Sequence, residues 1–230
     1  MGTKERLRCA AVIPVYNEAG AIARLLAEVP SGVLDQTLVV DGGSNDGTQE
    51  AARAAGATVL RQRGRGYGAA CLTGAEHADA DLIVFLDGDY SDPPAAIPRL
   101  LAPLLAGQAD LVLGSREQGR MEAGALPLHA RLGNKLAVVL LRLLYRVRVS
   151  DLPSFKAIRR DQLLVLGIRD LHYGWTAEMI ARAARDGLRI EEVPVDYRVR
   201  IGVSKVSGTV KGSVKAGYAI LRAVVWTRFI

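Results

Sequence analysis

Leu82-Ile83-Val84-Phe85-Leu86-Asp87-Gly88-Asp89 is an apolar run that stops abruptly at two carboxylates with one glycine between them. Apolar residues in unbroken succession leave no polar face, which suits a parallel strand covered on both sides. Ligands of open α/β sheets gather at the carboxyl ends of such strands. Gly88 keeps the turn tight and lets Asp87 and Asp89 converge on a small volume, where mutual repulsion raises a pKa unless a cation is shared between them. Mg²⁺ and Mn²⁺ are usually held by one or two carboxylates together with substrate phosphates and water. A metal–diphosphate site at Asp87 and Asp89 is therefore the first expectation; the competing reading is a solvated Asp-Gly turn, and the flanking sequence has to decide.

Upstream, Cys9-Ala10-Ala11-Val12-Ile13 reads as a strand closed by Pro14-Val15-Tyr16-Asn17-Glu18, followed by a helix with Ile22, Leu25, Leu26 and Val29 on one face. Thr37-Leu38-Val39-Val40 is a second strand and ends on Asp41. Gly42-Gly43-Ser44-Asn45-Asp46-Gly47-Thr48 then turns into a helix whose N-terminus favours an anion or a polar ring edge, although the lysine of a P-loop is missing. Ala57–Leu60 is a third strand leading to Arg61-Gln62-Arg63-Gly64-Arg65-Gly66-Tyr67-Gly68, which reads either as a phosphate cradle or as a solvated basic loop. After the Asp-Gly-Asp turn, Ser91-Asp92-Pro93-Pro94 signals a helix start, and Ala109–Leu113 gives a further strand ending in Gly114-Ser115-Arg116. Strands alternating with helices at this spacing predict right-handed βαβ units in a mostly parallel, doubly wound α/β sheet, with no repeat or linker dividing it.

Half of the 230 residues are hydrophobic and 5% are aromatic, so the core is expected to be aliphatic. Cys9 and Cys71 do not form a disulfide or metal pattern, which fits a reducing cytoplasm. Met1–Arg8 is polar, so no signal peptide is expected. Residues 1–120 carry 11 Lys and Arg against 15 Asp and Glu, whereas residues 121–230 carry 19 against 9. A basic half on an acidic half points to an anionic partner. Interleaved aromatics of the kind that stack on nucleic-acid bases are absent, so an anionic membrane surface is expected and nucleic acid is not.

Val12–Glu18, Val39–Thr48, Asp87-Gly88-Asp89 with Asp92-Pro93-Pro94, and Gly114-Ser115-Arg116 together resemble the family 2 glycosyltransferases. The later Ser154-Phe155-Lys156-Ala157-Ile158, Glu178, Glu192-Val193-Pro194-Val195 and Arg200-Ile201-Gly202-Val203-Ser204-Lys205 resemble, in order, the dolichyl- and polyprenyl-phosphate sugar synthases within it. The resemblance implies a single nucleotide-sugar-binding A-type glycosyltransferase domain over residues 1–205, with a C-terminal amphipathic helix over 206–230. It implies a UDP- or GDP-sugar donor held by Pro14, Tyr16, Asn17, Glu18, Asp41, Asp87 and Gly88, with Asp87 and Asp89 bridging Mg²⁺ or Mn²⁺ to the diphosphate. It implies inverting transfer of a hexose, with Asp89, Glu178 and Arg116 in catalysis and Arg131, Arg200, Ser204 and Lys205 on the phosphates or the acceptor. The chain departs from many relatives in carrying Gly42 in place of a carboxylate and Ser154 in place of a glycine.

A hydroxyl acceptor would require a general base, and Glu178 or Asp151 is the candidate; a polyprenyl phosphate is already anionic and requires positioning instead. His77, His129 and His172 have no ligand spacing and are expected at the surface or in loops. Arg131, Lys135, Arg142 and Arg146 fall within about 60° of a helix circumference, and Leu136, Val139, Leu140, Leu143 and Leu144 fill the remainder. Lys211, Lys215 and Arg222 repeat the pattern opposite Val210, Val214, Tyr218, Leu221 and Val225. Two basic amphipathic helices lying on the cytoplasmic face of a membrane, attached peripherally, are expected. Transfer to a soluble or glycan hydroxyl and a non-catalytic nucleotide-sugar-binding protein are the competing functions.

Overall fold

In the computed structural model every residue of the run that opens the sequence reading is buried, from Leu82 to Phe85 in the strand and Leu86 beyond it. The structure describes residues 6–202 and 210–229, the last group by backbone alone over 210–214; Ser204 and Lys205 lie outside the described residues. The elements in order are β1 (Cys9–Val15), α1 (Ala19–Ala27), β2 (Gln36–Asp41), α2 (Thr48–Ala54), β3 (Thr58–Arg61), α3 (Tyr67–His77), β4 (Leu82–Phe85), α4 (Ile97–Leu105) and β5 (Leu111–Ser115). They continue with α5 (Leu128–Tyr145), β6 (Lys156–Arg159), α6 (Arg160–Val165), α7 (Trp175–Arg185), β7 (Ile190–Pro194) and α8 (Val210–Trp226).

The strands form one sheet in the order β3-β2-β1-β4-β6-β5-β7. Pairing is parallel except around β6, which runs antiparallel to both β4 and β5. The order reverses between β1 and β4, so the crevice at their carboxyl ends is the switch point where ligands of such sheets bind. The sheet is mostly parallel, as the alternating pattern predicts, but β6 is charged at both ends and β7 carries the adjacent Glu191 and Glu192, so neither gives an apolar run to read.

Side chains alternate across the sheet and both faces are covered. Ala11, Ile13, Val39 and Val84 pack with Ile22 and Leu25 of α1 and Ile97, Leu100 and Leu104 of α4. Ala10, Val12, Val40, Ile83 and Phe85 pack on the other face with Ala70, Cys71 and Ala75 of α3 and Trp175, Met179 and Ile180 of α7. Full burial of one such aliphatic or aromatic side chain contributes about 1.5–3 kcal/mol, so the two layers hold β1 and β4 rigidly in place. Cys9 and Cys71 are free and buried. α8 packs along α5 and α7, and the Tyr145 hydroxyl donates to Val224 O at 2.6 Å. No helix among the described residues is long and apolar enough to cross a membrane.

Candidate active site

The carboxyl ends of β1 and β4 meet at a contact that only glycine permits. A Cβ on Gly88 would lie 2.5 Å from Val15 Cγ1 and 3.2 Å from Pro14 O. That closeness sets Asp87 and Asp89 at the mouth of the switch-point crevice. Asp89, 4% exposed, accepts Ser91 N at 3.0 Å and Ser91 Oγ at 2.6 Å on Oδ1, and pairs with the Arg200 guanidinium through Oδ2. The Asp87 amide donates to Asp92 Oδ2 at 3.1 Å, which also accepts the Ser154 hydroxyl at 2.9 Å; Asp92 Oδ1 is buried with no hydrogen-bond partner. Three carboxylates are thus gathered within one short turn. Burial, then the charges of Asp89 and Asp92, pushes the Asp87 carboxyl up to about 7, and burial lifts Asp92 to about 6.

The loop after β1 is fastened to the loop after β2. Asn17, in the left-handed region at φ 54°, receives Asn45 N on its side-chain oxygen at 3.0 Å, and its own amide donates to Ser44 Oγ at 2.8 Å. Glu18 N donates to Thr48 Oγ1 at 2.8 Å. Tyr16 stands half exposed at the rim, close enough to Gly42 that a Cβ there would lie 3.7 Å from its own. Asp41 differs from the expectation that it displays its carboxylate to a nucleotide. It is 2% exposed and accepts Gly43 N at 3.0 Å, Ser44 N at 3.0 Å, the Ser44 hydroxyl and Gln49 Nε2 at 2.8 Å. Its oxygens are turned into the loop, which they shape.

On the other side of Asp87 lies a cavity of about 290 Å³ lined by Tyr67, Asp87, Arg116, Asn134, Ser154 and Thr176 among others. Its remaining wall runs between α5 and α8 along Ala130, Gly133, Ala216, Gly217 and Ile220. Arg116 is held bidentately by Asp151, Nε to Oδ2 at 2.7 Å and Nη2 to Oδ1 at 2.6 Å, and lies over the Tyr197 ring at 5.0 Å. Asn134 Nδ2 donates to Asp151 Oδ1 at 2.8 Å. Asp151 is therefore committed to orienting Arg116, and a base role for it does not fit these contacts. Arg131, on α5, is paired with Glu117 at 3.7 Å. His129 is exposed, as expected of it, and stands at the rim of the cavity.

Glu178 requires a correction. It is 4% exposed in α7, accepts Arg169 N at 3.1 Å and Asp170 N at 2.7 Å, and pairs with Arg182 at 2.6 Å. It borders a separate depression with Arg169, Asp170 and Arg222 instead of the cavity at Asp87. A carboxylate with its lone pairs so occupied holds a loop and does not take a proton from an acceptor. The loop it holds carries Leu171 and Tyr173; Leu171 O accepts Ala69 N at 3.0 Å, and a Cβ on Gly68 would lie 2.7 Å from Asp170 O. Tyr173 lines the cavity. Sequence reading did not single out Asn134, Thr176 or Tyr197 as site residues and met Tyr67 only within the Arg61–Gly68 loop; Asn134, an uncharged polar residue on a helix of apolar and basic ones, is the one signal that could have.

Metal binding fits the donor set in a restricted way. No group of three or more His, Cys, Asp or Glu among the described residues forms a ready cage. Asp87 and Asp89 supply hard oxygen ligands of the kind Mg²⁺ and Mn²⁺ take, and the raised Asp87 marks a carboxylate in want of a cation; substrate phosphates and water would complete the shell.

The chain is similar to known proteins in sequence and in fold. An uncharacterized glycosyltransferase of Mycobacterium tuberculosis is 38% identical over 207 residues, covering 89% of this chain and 92% of that protein. The undecaprenyl-phosphate mannosyltransferase of Micrococcus luteus is 31% identical, covering 90% of each. Glucosyl-3-phosphoglycerate synthase from Mycobacterium tuberculosis, solved with Mn²⁺, UDP and phosphoglyceric acid, superposes with a TM-score of 0.78 at 21% identity, over 97% of this chain and 79% of that one. With residues 10–166 matching the family described as Glycosyl transferase family 2, and with the carboxylate turn and nucleotide-side loops lying inside that span, the chain belongs to glycosyl transferase family 2 and is a glycosyltransferase.

Proposed function

We propose that this glycosyltransferase moves a hexose, with inversion, from a UDP- or GDP-sugar to a polyprenyl phosphate while docked peripherally on the cytoplasmic face of an anionic membrane. The observation that carries this reading is the outward face of α5. Leu128 is 72% exposed, Leu132 61%, Leu136 49%, Val139 50% and Leu143 70%. At 100° per residue these five fall within about 80° of the helix, and Arg131, Lys135 and Arg142 border them on one side. α8 adds Tyr218, Val225 and Trp226, exposed, with Phe229 just beyond it, and neither helix contains Asp or Glu. Leucines that face water, bordered by cations and aromatics, match the interface between headgroups and acyl chains. The cavity beside Asp87 opens along the small residues between these same two helices, which suits an extended apolar chain.

Asp87 and Asp89 would hold the divalent cation, as the Mn²⁺- and UDP-bound structure of the neighbouring synthase supports for the fold. When bound, that ion neutralises charge developing on the leaving diphosphate. Arg200, now on Asp89, is placed to add a charge-assisted hydrogen bond to a donor phosphate. Arg116, oriented by Asp151 and Asn134, faces the cavity where an acceptor phosphate would lie. Glu178 and Asp151 both being committed elsewhere supports an acceptor that arrives already ionised. The Micrococcus luteus relative supports the same acceptor class.

The test is transfer of labelled sugar from a panel of UDP- and GDP-hexoses to undecaprenyl phosphate, with Mn²⁺ and with EDTA, beside sedimentation with anionic and neutral vesicles. Metal-dependent label in the lipid phase and salt-weakened binding to anionic vesicles are expected. Donor turnover without lipid product, or equal indifference to both vesicle types, refutes the acceptor and docking reading.

A further inference from the structure

Lys156 begins β6 and is 0% exposed. Its ammonium has three oxygen neighbours, Pro153 O at 3.2 Å, Ser154 O at 2.9 Å and Thr176 Oγ1 at 3.0 Å, which match the three N–H groups of the charged form. It lies 5.9 Å from the Tyr67 ring centroid and 5.7 Å from that of Phe85. Among the described residues no carboxylate forms an ion pair with it; burial pulls its ammonium below the usual lysine range, and the charges of Asp87 and Asp92 oppose that through space. Cys71 is near, but burial pushes its thiol up to about 12, so it is neutral and gives no counter-charge.

A buried cation without a paired anion is costly to keep in a fold, by several kcal/mol in general, and an apolar residue would fill this layer at no such cost. The other cations around the cavity are already matched: Arg116 by Asp151, and Arg200 by Asp89. Lys156 stands directly behind the cavity wall, since Ser154, Thr176 and Tyr67 both contact it and line the cavity. An anion entering beside Asp87, with Asp89 and Asp92 close by, meets negative charge from the turn; the Lys156 charge, which already acts on Asp87 and Asp92 through the low-dielectric layer behind the cavity wall, offsets it. A neutral hydroxyl acceptor would gain nothing comparable.

We propose that Lys156 is a positioning residue that acts as the buried counter-charge for a phosphoryl-bearing acceptor, holding the Pro153–Ser154 turn and the Thr176 hydroxyl as the wall against which that phosphoryl group is placed. The inference rests on the reading of the cavity as the acceptor site, and not on the acceptor being a lipid. A lipid headgroup and a soluble phosphate ester share the chemistry, and the experiment separates them.

Lys156→Met and Lys156→Arg are compared with the unaltered protein in initial rates with undecaprenyl phosphate in detergent and, separately, with phosphoglyceric acid, while affinity for UDP with Mn²⁺ is read by calorimetry. Lys156→Met is expected to raise the acceptor KM about tenfold or more and to leave UDP affinity within about twofold, with Lys156→Arg recovering most of the loss. An unchanged acceptor KM overturns the proposal, as does a parallel loss of UDP affinity that Lys156→Arg fails to repair, because a mere structural post would behave so. The unaltered protein supplies a test that needs no variant to fold: whichever acceptor it uses must bind about tenfold more tightly with its phosphoryl group than without it, undecaprenyl phosphate against undecaprenol or phosphoglyceric acid against glyceric acid, and equal binding of that pair overturns the role. Transfer to phosphoglyceric acid alone, with the same Lys156 pattern, removes the lipid acceptor and leaves this inference standing. Use of neutral acceptors alone, with Lys156→Met unimpaired, removes both.

Discussion

Replacing Glu178 by Gln separates a loop-holding carboxylate from a general base. The side chain is isosteric, but it loses the charge that faces Arg182 at 2.6 Å and turns one of two acceptor oxygens into a donor against backbone N–H groups of Arg169 and Asp170. Breaking a buried ion pair by removing one partner costs about 3–5 kcal/mol, and one retained oxygen recovers part of that, so about 3 kcal/mol of stability should be lost. For a chain of this size that corresponds to a fall of about 6–12 °C in Tm. At temperatures where the variant is folded, turnover should fall only about three- to tenfold, through displacement of the loop bearing Tyr173, because loss of a positioned base would cost about a hundredfold or more. Thermal melting followed by initial rates across a pH series measures both. A Tm within about 2 °C of the unaltered protein, together with loss of nearly all turnover and of one limb of the pH profile, would refute the assignment of Glu178 to the loop.

Three further outcomes follow from named contacts. Because the Asp87 carboxyl sits at about 7 through burial and the neighbouring Asp89 and Asp92, protons compete with the cation, and apparent Mn²⁺ affinity should fall by up to about tenfold per pH unit below that value. In the metal-free protein the folded state keeps this proton to higher pH than the unfolded chain, so its contribution to stability declines as pH rises from the ordinary carboxylate range towards about 7. Mn²⁺ should therefore raise Tm more above that pH than well below it, and an equal rise at both would contradict the Asp87 assignment. Gly88→Ala drives a Cβ to 2.5 Å from Val15 Cγ1; a stability loss of about 1–3 kcal/mol with weakened metal-dependent UDP binding is expected by melting and calorimetry, and unchanged binding would show that the turn tolerates opening. Asp110, held down to about 2 by the Arg189 guanidinium, stabilises the fold above the ordinary carboxylate range and ceases to do so as pH falls through about 2. Asp110→Asn should thus cost about 1–2 kcal/mol near neutrality, discounted for the half-exposed Arg189, and leave transfer rates alone; a pH-independent deficit would be inconsistent with the pairing.

The side of the sheet proposed to hold the donor was legible because β2 and β4 each announce themselves as apolar runs that end on a carboxylate. Val39 and Val40 lead to Asp41 and Leu82–Leu86 lead to Asp87, so one apolar run per strand locates both a sheet position and a crevice. What the run cannot show is the direction a carboxylate takes at its end: Asp41 folds back on Ser44 and Gln49, while Asp87 opens to the cavity. The side proposed to hold the acceptor offers no such runs. β6 is four residues long with Lys156 and Arg159 at its ends, and it enters the sheet antiparallel, a pairing that no local period encodes. Glu178 looked like a helix-start carboxylate of ambiguous purpose, and only the chain returning through Arg169 and Asp170 shows what it holds.

α5 makes the sharpest case, because its expected place on a membrane requires an outward apolar face, and only the structure shows which residues form that face. Apolar residues on a helix ordinarily mark the face turned to the core, yet here the buried positions are Ala137 and Leu141 and the cavity wall is Ala130 and Gly133, while the large leucines point outward. Small residues line the stretch of the inward side against which α8 and the cavity run close, while Leu141 packs into the core. The outward leucines are the physical link between the fold and the proposed place of reaction: the helix that walls the proposed acceptor cavity also presents the surface on which a lipid-borne acceptor would arrive, so loss of the leucine stripe should weaken capture of a membrane-held acceptor while leaving UDP binding at the Asp87 turn intact.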